Sequence, residues 1–534
     1  MAMVTATTKV PKNNFYHRGI FPVVGSSAAA MLLLSFHSGA TDWKITPTLD
    51  LKETYTDNVR LTQDNEKSDF VTQINPGISL IGTGPHLKVD ARYVMQNIFY
   101  AKENSENAIN HQLHALANAE LLDNLFFVDA NASISQQNIS SFGQQTTDNT
   151  NITNNRTNVK TYSISPYLLN HFQNFASSEL RYTHDSVSTG GTGSAVSTGL
   201  SDSQSDKILM SLTSGTDFRM LGWGLNYNKQ RIDFNSGQTV DLETYGGDLR
   251  YLITPHLSLT ATGGEEKNNY LSLTGKSSGG PFWTAGFAWN PSQRTNIEAN
   301  AGKRFYGNSY SLKADHRSRR TFWNVSYDEG ITTTRDQFLL PATIDTAGFL
   351  AKSPQFIAAF PTEAERLAAA GTFISANGLP TSLANSVNLL TNRFFLQKSL
   401  QASVSISGAR SIIVLSLFDI KREAQTSQTA DSALLGTSDL SLLDNTKQVG
   451  VSALLNRRIS PRTSANISAA YTRTSSPSSG REDKNKTLRI GLTRQLQPKV
   501  NGTIELRHNE LDSNQSSSLG YKENSILASI NIRF

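Results

Sequence analysis

The sequence predicts an all-β fold: one large closed antiparallel transmembrane β-barrel of about 22 strands, within a range of roughly 16 to 24. Three observations predict it. Apolar and polar residues alternate with period two from Trp43 onward, short turns alternate with long polar loops, and the chain ends an alternating strand on Phe534. Composition does not oppose this reading. Only 37% of residues are hydrophobic and the mean hydropathy is −0.35, but in a barrel only every second residue meets lipid, so the average stays low. No apolar run beyond the N-terminus approaches the ~20 residues that a membrane helix needs. A β-sandwich would bury its apolar faces in a shared core and would not need so many strands of one alternating type. No blade-length repeat points to a propeller.

The first element is a secretory signal over residues 1–40. Lys9, Lys12 and Arg18 form a basic leading region, Gly19 to Phe36 an apolar one, and Ser38-Gly39-Ala40 supplies small residues at a cleavage site. Cleavage is expected after Ala40. That leaves the barrel at 41–534 and implies Sec-type export through the periplasm to the outer membrane of a Gram-negative cell, with outer-membrane lipid around it. Removing Lys9, Lys12 and Arg18, with no acid in residues 1–40, brings the formal charge from +5 to +2. That balance is too even to argue for nucleic acid as a partner. The absence of cysteine excludes disulfides, thiolate metal ligands and a cysteine nucleophile.

The strand signal begins with Trp43, Ile45, Pro47, Leu49, Leu51 and Tyr55 on one parity, against Lys44, Thr46, Thr48, Asp50 and Lys52 on the other. Such alternation makes a strand with one apolar face. It recurs where Leu87, Val89, Ala91, Tyr93 and Met95 oppose Lys88, Asp90 and Arg92, and again around Trp283–Trp289 and Thr321–Tyr327. Short turns are expected at Thr83-Gly84-Pro85, Asp123-Asn124, Gly215-Thr216-Asp217, Thr254-Pro255-His256, Asn290-Pro291-Ser292, Ser460-Pro461-Arg462 and Gln497-Pro498-Lys499, all rich in turn formers. Between them lie longer polar segments, Asn138–Asn158, Ser186–Asp206, Glu423–Asp444 and Asp512–Gly520, expected outside the cell.

One segment, 331–392, is far longer than ordinary connections, which rarely exceed about 15 residues. Thr362-Glu363-Ala364-Glu365 has the capping-box form, which predicts a short helix running to Gly371, and Pro341, Pro354, Pro361 and Pro380 interrupt the remainder. It either caps the barrel outside or folds into the lumen and constricts it. Its apolar residues (Phe349-Leu350, Phe356-Ile357, Phe360, Leu367) favour constriction. At the far end, Asn524, Ile526, Ala528, Ile530, Ile532 and Phe534 alternate with polar neighbours. A last strand ending in Phe resembles the signal that outer-membrane proteins present to the β-barrel assembly machinery, so Phe534 is the expected assembly signal.

Candidate functional residues are the charges on the lumen parity: Lys88, Asp90, Arg92, Arg181, Glu298, Arg489, Glu505 and Arg507, with Glu179 and Arg533 beside them. Facing charges across a wide lumen set selectivity in porins, and a solvated wall of balanced charge is the plainer alternative. Aromatics such as Trp43, Phe99, Tyr182, Trp289 and Trp323 fall on the apolar parity and read as an interfacial girdle. A sugar-binding slide would need them on the polar parity, where few sit, Phe322 among them. Catalytic signals are poor and no cofactor is implied. Gly275-Lys276-Ser277 lacks the earlier glycine of a phosphate loop, since Tyr270 stands there. His111 and His114 point to opposite faces of a strand and cannot share a metal. Asp148-Asn149-Thr150-Asn151 lacks the glycine and distal glutamate of a calcium loop.

Four segments carry a family resemblance: Thr54-Tyr55-Thr56-Asp57-Asn58-Val59, Asp69 to Gly77, Leu252-Ile253-Thr254-Pro255-His256-Leu257, and Arg393-Phe394-Phe395-Leu396-Gln397-Lys398. They resemble outer-membrane barrels of porin type associated with the PEP-CTERM/exosortase system. The resemblance implies a role in the cell envelope, with exopolysaccharide and its export apparatus as partners, and supplies no catalytic residues. Two functions are therefore carried forward: a channel or export conduit for an extracellular polymer, and a non-conducting envelope protein whose surface loops bind polysaccharide or a partner. An outer-membrane hydrolase is not expected.

Overall fold

The computed structural model describes residues 41–146, 148–190, 202–235, 237–270, 278–339, 346–360, 363–376, 391–426, 445–515 and 520–534. The signal region with its cleavage residue Ala40, and Gly275-Lys276-Ser277, lie outside these residues. Twenty-two strands form one sheet. They are β1 (Asp42–Thr56), β2 (Asp69–Thr83), β3 (Leu87–Tyr100), β4 (Ala108–Leu122), β5 (Phe126–Asn138), β6 (Arg156–Phe172), β7 (Ala176–Gly190) and β8 (Ser203–Ser214). Next come β9 (Leu221–Phe234), β10 (Thr239–Thr254), β11 (Leu257–Asn268), β12 (Gly280–Ser292), β13 (Thr295–Arg304), β14 (Gly307–Arg317) and β15 (Thr321–Thr333). The wall is completed by β16 (Phe394–Ser407), β17 (Ser411–Ala424), β18 (Asn445–Ser460), β19 (Thr463–Ser476), β20 (Arg481–Gln497), β21 (Val500–Ser513) and β22 (Tyr521–Arg533).

Each strand pairs antiparallel with its sequence neighbours, and β1 pairs with β22 from Thr48↔Arg533 to Thr56↔Ser525, which closes the barrel. Side chains reinforce that seam. The Asn524 backbone and side-chain amides donate to the two Asp57 carboxylate oxygens, each at 2.8 Å. Asn58 Nδ2 donates to the Lys522 carbonyl at 3.0 Å, and Thr56 Oγ1 to Glu523 at 2.9 Å. At the other end of the seam the Phe534 amide donates to the Pro47 carbonyl at 3.0 Å.

One rim carries turns of two to six residues; the other carries connections of two to sixty, including the segment between β15 and β16. The strand count and the short–long alternation follow the sequence reading. Three short turns that it did not name, at 173–175, 318–320 and 408–410, complete the short-turn rim. The predicted turn at Asn290-Pro291-Ser292 is strand, and the chain reverses just beyond, at 293–294. Asn124 sits at φ +55, a left-handed position that asparagine tolerates and that its turn requires.

The period-two pattern sorts side chains into an apolar outer face and a polar inner one. Ile45, Ile74, Leu225, Leu249, Ile490, Ile504 and Leu506 are all exposed on the outside. Aromatics bracket this belt: Trp43, Tyr251, Trp289 and Trp323 near the short-turn rim, and Tyr55, Phe70, Phe99, Trp283 and Tyr310 towards the other. Apart from β13 and β14, with 10 and 11 residues, the strands have 12 to 17 residues and exceed the 9–11 or so that cross a bilayer, so their long-loop ends stand beyond the belt. There the outer face turns charged, with Lys486 bridging Glu510 and Asp512. A closed sheet of 22 strands tilted by ~40° is roughly 40 Å across between backbones. Wall side chains cannot fill that width. Among the described residues, two long segments fold inward to occupy the interior.

Candidate functional site: the lumen and its two inward segments

The inner wall neutralises itself along individual strands. Residues i and i+2 share a face of a strand, and five such pairs combine an acid with a base on the inner parity. They are Lys52 with Asp50 (3.0 Å), Arg92 with Asp90 (3.0 Å), Arg181 with Glu179 (2.7 Å), Arg481 with Asp483 (3.0 Å) and Arg507 with Glu505 (3.2 Å). Arg181 also meets Asp129 at 2.8 Å and lies 3.7 Å over the Tyr167 ring. All eight candidate charges project inward, opposite the exposed apolar residues, but they do not form one site. Lys88, Asp90 and Arg92 share β3, Arg181 lies on β7, and Glu298 on β13 accepts from Asn296 at 3.2 Å. Asp90 and Arg92 pair within β3, and Arg489, Glu505 and Arg507 come together across two strands, with Arg489 directly across the β20–β21 ladder from Arg507.

Two adjacent inward arginines need more negative charge than Glu505 supplies, and the loop between β5 and β6 brings it. Asp148 Oδ2 lies 2.7 Å from Arg507 Nη1. Burial opposes ionisation of this carboxyl, but Arg507 and then Arg489, with hydrogen bonds from Thr150, outweigh it and hold Asp148 below the ordinary carboxylate range. The loop is anchored on several strands. The Gly143 amide donates to Asp483 at 2.9 Å, Asn151 Nδ2 to Glu523 at 2.8 Å, and Gln73 Nε2 to Thr150 Oγ1 at 3.1 Å. Tyr521 and Tyr100 donate their hydroxyls to the Gln145 and Thr150 carbonyls at 2.7 and 3.1 Å. Ser141, Thr146, Asn149, Thr150 and Asn151 are consequently buried. The reading of Asn138–Asn158 as an external polar loop is therefore corrected. Its polarity suits a polar inner wall as well as it suits water, and composition alone does not separate the two.

The second inward segment leaves β15 as four short helices: α1 (Thr334–Leu339), α2 (Thr346–Ala351), α3 (Pro354–Ala359) and α4 (Glu363–Ala376). Phe349, Leu350, Ala351, Phe356, Ala370 and Ile374 form a buried cluster with Phe322, Ile412, Val414 and Leu454 of the inner wall. This explains Phe322 on the polar parity: its ring lies 5.5 Å from that of Phe349 and seats a helix, not a sugar. Arg335 of α1, fully buried, pairs with Asp185 on β7 and donates to Ser203 on β8 at 2.9 Å. Since β7 and β15 are eight strands apart, the segment crosses the lumen. The helix predicted to stop at Gly371 continues to Ala376. A β-carbon at Gly371 would stand 3.4 Å from the Arg92 guanidinium, so α4 approaches β3 at that point. Pro354 opens α3 behind Ser353, so here proline starts a helix where the sequence reading expected an interruption.

Below α4, towards the short-turn rim, lies a cavity of about 370 Å³ bounded by Phe373 and by inner residues of β18 to β22. Sequence reasoning named one of its cations, Arg533, and missed Arg458, Arg462 and Lys499. The available signal was the pair of turns Pro461-Arg462 and Pro498-Lys499, read only for their geometry. On another part of the same rim, His86, Glu120 and Asp123 bring one ligand atom each within 4.8 Å of one another, the grouping among the described residues that could hold a metal. Asp123 is largely exposed there and His86 leans on Glu120 at 3.4 Å. His111 and His114 face opposite sides of β4, across from Met95 and Arg92 respectively.

No family model and no curated protein matches the chain. Among solved structures it is similar to the FrpB iron transporter of Neisseria meningitidis, with 9% identity, a TM-score of 0.47, and 92% of this chain and 81% of that one covered. It is similar also to the siderophore receptor PirA of Acinetobacter baumannii, with 8% identity, a TM-score of 0.48, and 92% and 80% covered. A mutant of the ferric enterobactin receptor PfeA of Pseudomonas aeruginosa gives 10% identity, a TM-score of 0.42, and 92% and 80% covered.

Proposed function

We propose that this chain is an outer-membrane barrel that works as a gated conduit, with the inward segment between β15 and β16 as its gate. The membrane reading rests on the exposed apolar belt and its two aromatic margins, which match a bilayer. The observation that carries the gate is the seat of α2 to α4 on Phe322, Ile412, Val414 and Leu454. A segment held by side-chain packing and one buried ion pair, with no strand of its own in the wall, can leave the lumen without breaking the barrel's hydrogen-bond ladder. The finer reading, passage of an extracellular polysaccharide beside a protein-sorting system, rests on the sequence resemblance. The polar inner wall, whose charges are paired within β3, β7 and β21, suits a long hydroxylated cargo that must not stick there.

A non-conducting envelope protein would present its long loops outward. The loop between β5 and β6 turns inward instead, which weighs against that reading. Planar-bilayer conductance tests the proposal. Wild-type barrel should show a small or intermittently open conductance, and deletion of residues 334–390 should raise it several-fold and make it steady. A barrel that folds, lacks both inward segments and still does not conduct sinks the conduit.

A further inference from the structure

We propose that the cavity between Phe373 and the short-turn rim binds carboxylate-bearing sugar units. Arg458, Arg462, Lys499 and Arg533 reach it from β18, two separate turns and the end of β22, and no acidic side chain lines it among the described residues. None of these four makes an ion pair there, whereas Arg92, Arg181, Arg335, Arg481 and Arg507 each pair with an acid. Four like charges around one cavity repel one another until an anion enters, so the cluster favours a negative ligand. Guanidinium forks match carboxylates in two-point geometry.

The rest of the lining narrows the ligand class. Gln495, held by donation of its Nε2 to the Pro498 carbonyl at 3.2 Å, presents its amide oxygen as an acceptor of the kind that reads hydroxyl groups. Phe373, partly exposed and braced edge-on by Phe356 at 5.9 Å, presents an apolar ring that suits the C–H face of a pyranose. A bare phosphate would use only the cations. The volume, about 370 Å³, lies in the ~300–1,000 Å³ range of small-ligand sites. Placed under the gate, the site would hold an acidic polymer end where it enters from the periplasm. That setting rests on the conduit reading; the binding itself does not.

The test is calorimetric titration of the full-length barrel in detergent with trigalacturonate, with neutral maltotriose as a matched-length control and inorganic phosphate as a second. Trigalacturonate should bind, more weakly as salt rises, and maltotriose should not. The double variant Arg462→Gln, Lys499→Gln changes two exposed turn residues and should fold normally by heat-modifiable mobility while losing roughly tenfold in affinity. Phe373→Ala should weaken trigalacturonate as well. Absence of binding, equal binding of maltotriose, wild-type affinity in the double variant, or displacement of trigalacturonate by phosphate at equal concentration each overturns the proposal. A barrel that binds trigalacturonate yet never conducts refutes the conduit and leaves the site standing.

Discussion

At the scale of single residues, Asp148 decides whether the polar segment stays docked. It supplies the negative charge that Arg489 and Arg507 share. Asp148→Asn should weaken docking of residues 139–155 by about 1.5–3 kcal/mol, the range for a lost charge-assisted hydrogen bond, with Glu505 still facing Arg507. Faster proteolytic nicking of that loop in the intact barrel would report it. The pH dependence follows from the depressed carboxyl. Its stabilisation is fully present above the unfolded value of about 3.9 and is lost only as pH falls through the lower folded value. Nicking of the wild-type loop should therefore be unchanged from pH 8 down to about 4 and accelerate in stronger acid; an onset near pH 6 would point to histidines instead. Which face each of these charges takes was legible, because parity along a strand needs only the strand. The partnership of Asp148 with Arg507 was not, because it depends on where a loop goes after it leaves β5. Two of the four segments that carried the family resemblance have structural roles at this scale: Asp57 and Asn58 tie the seam, and Gln73 holds the docked loop.

Among the elements, α2 to α4 are too short to be stable alone, and packing holds them. Leu350 is fully buried and Phe349 nearly so. Leu350→Ala should cost the seated segment about 2–5 kcal/mol, the range for emptied core sites, without unfolding the wall. Its signature is a rise in open-channel events together with unchanged heat-modifiable mobility; loss of the folded band would instead make the seat part of the barrel's stability. The sequence reading of this region caught the helix start at the capping box, since that is local chemistry. It ended the helix too early at Gly371, because tertiary contact carries a glycine that propensity alone would not. One helix was predicted and four are present among the described residues. The other three gain their order from the wall beneath them.

For the whole molecule, closure is the property that makes the fold possible, and β22 completes it. The Phe534 side chain is exposed while its amide bonds to Pro47, so the ring contributes little to the finished seam. Phe534→Ala should leave the melting of assembled barrel within a degree or two and yet lower the fraction assembled in cells. Quantifying the heat-modifiable band in outer-membrane fractions checks this, and unchanged assembly would remove the ring from the recognition step. Strand number and closure were legible because they rest on repeated local patterns, each weak and all consistent. What fills the interior was not, since nothing local marks a loop as inward. The acid–base pairs two residues apart bear on how such a wall can grow. Because Asp90 with Arg92, Glu179 with Arg181 and Glu505 with Arg507 balance within single strands, duplicating a hairpin built on such a pair adds no net charge to the lumen. Barrel width can then change by two such strands at a time without changing the charge of the passage, and adaptation to a wider or narrower cargo is left to the gate and the rim.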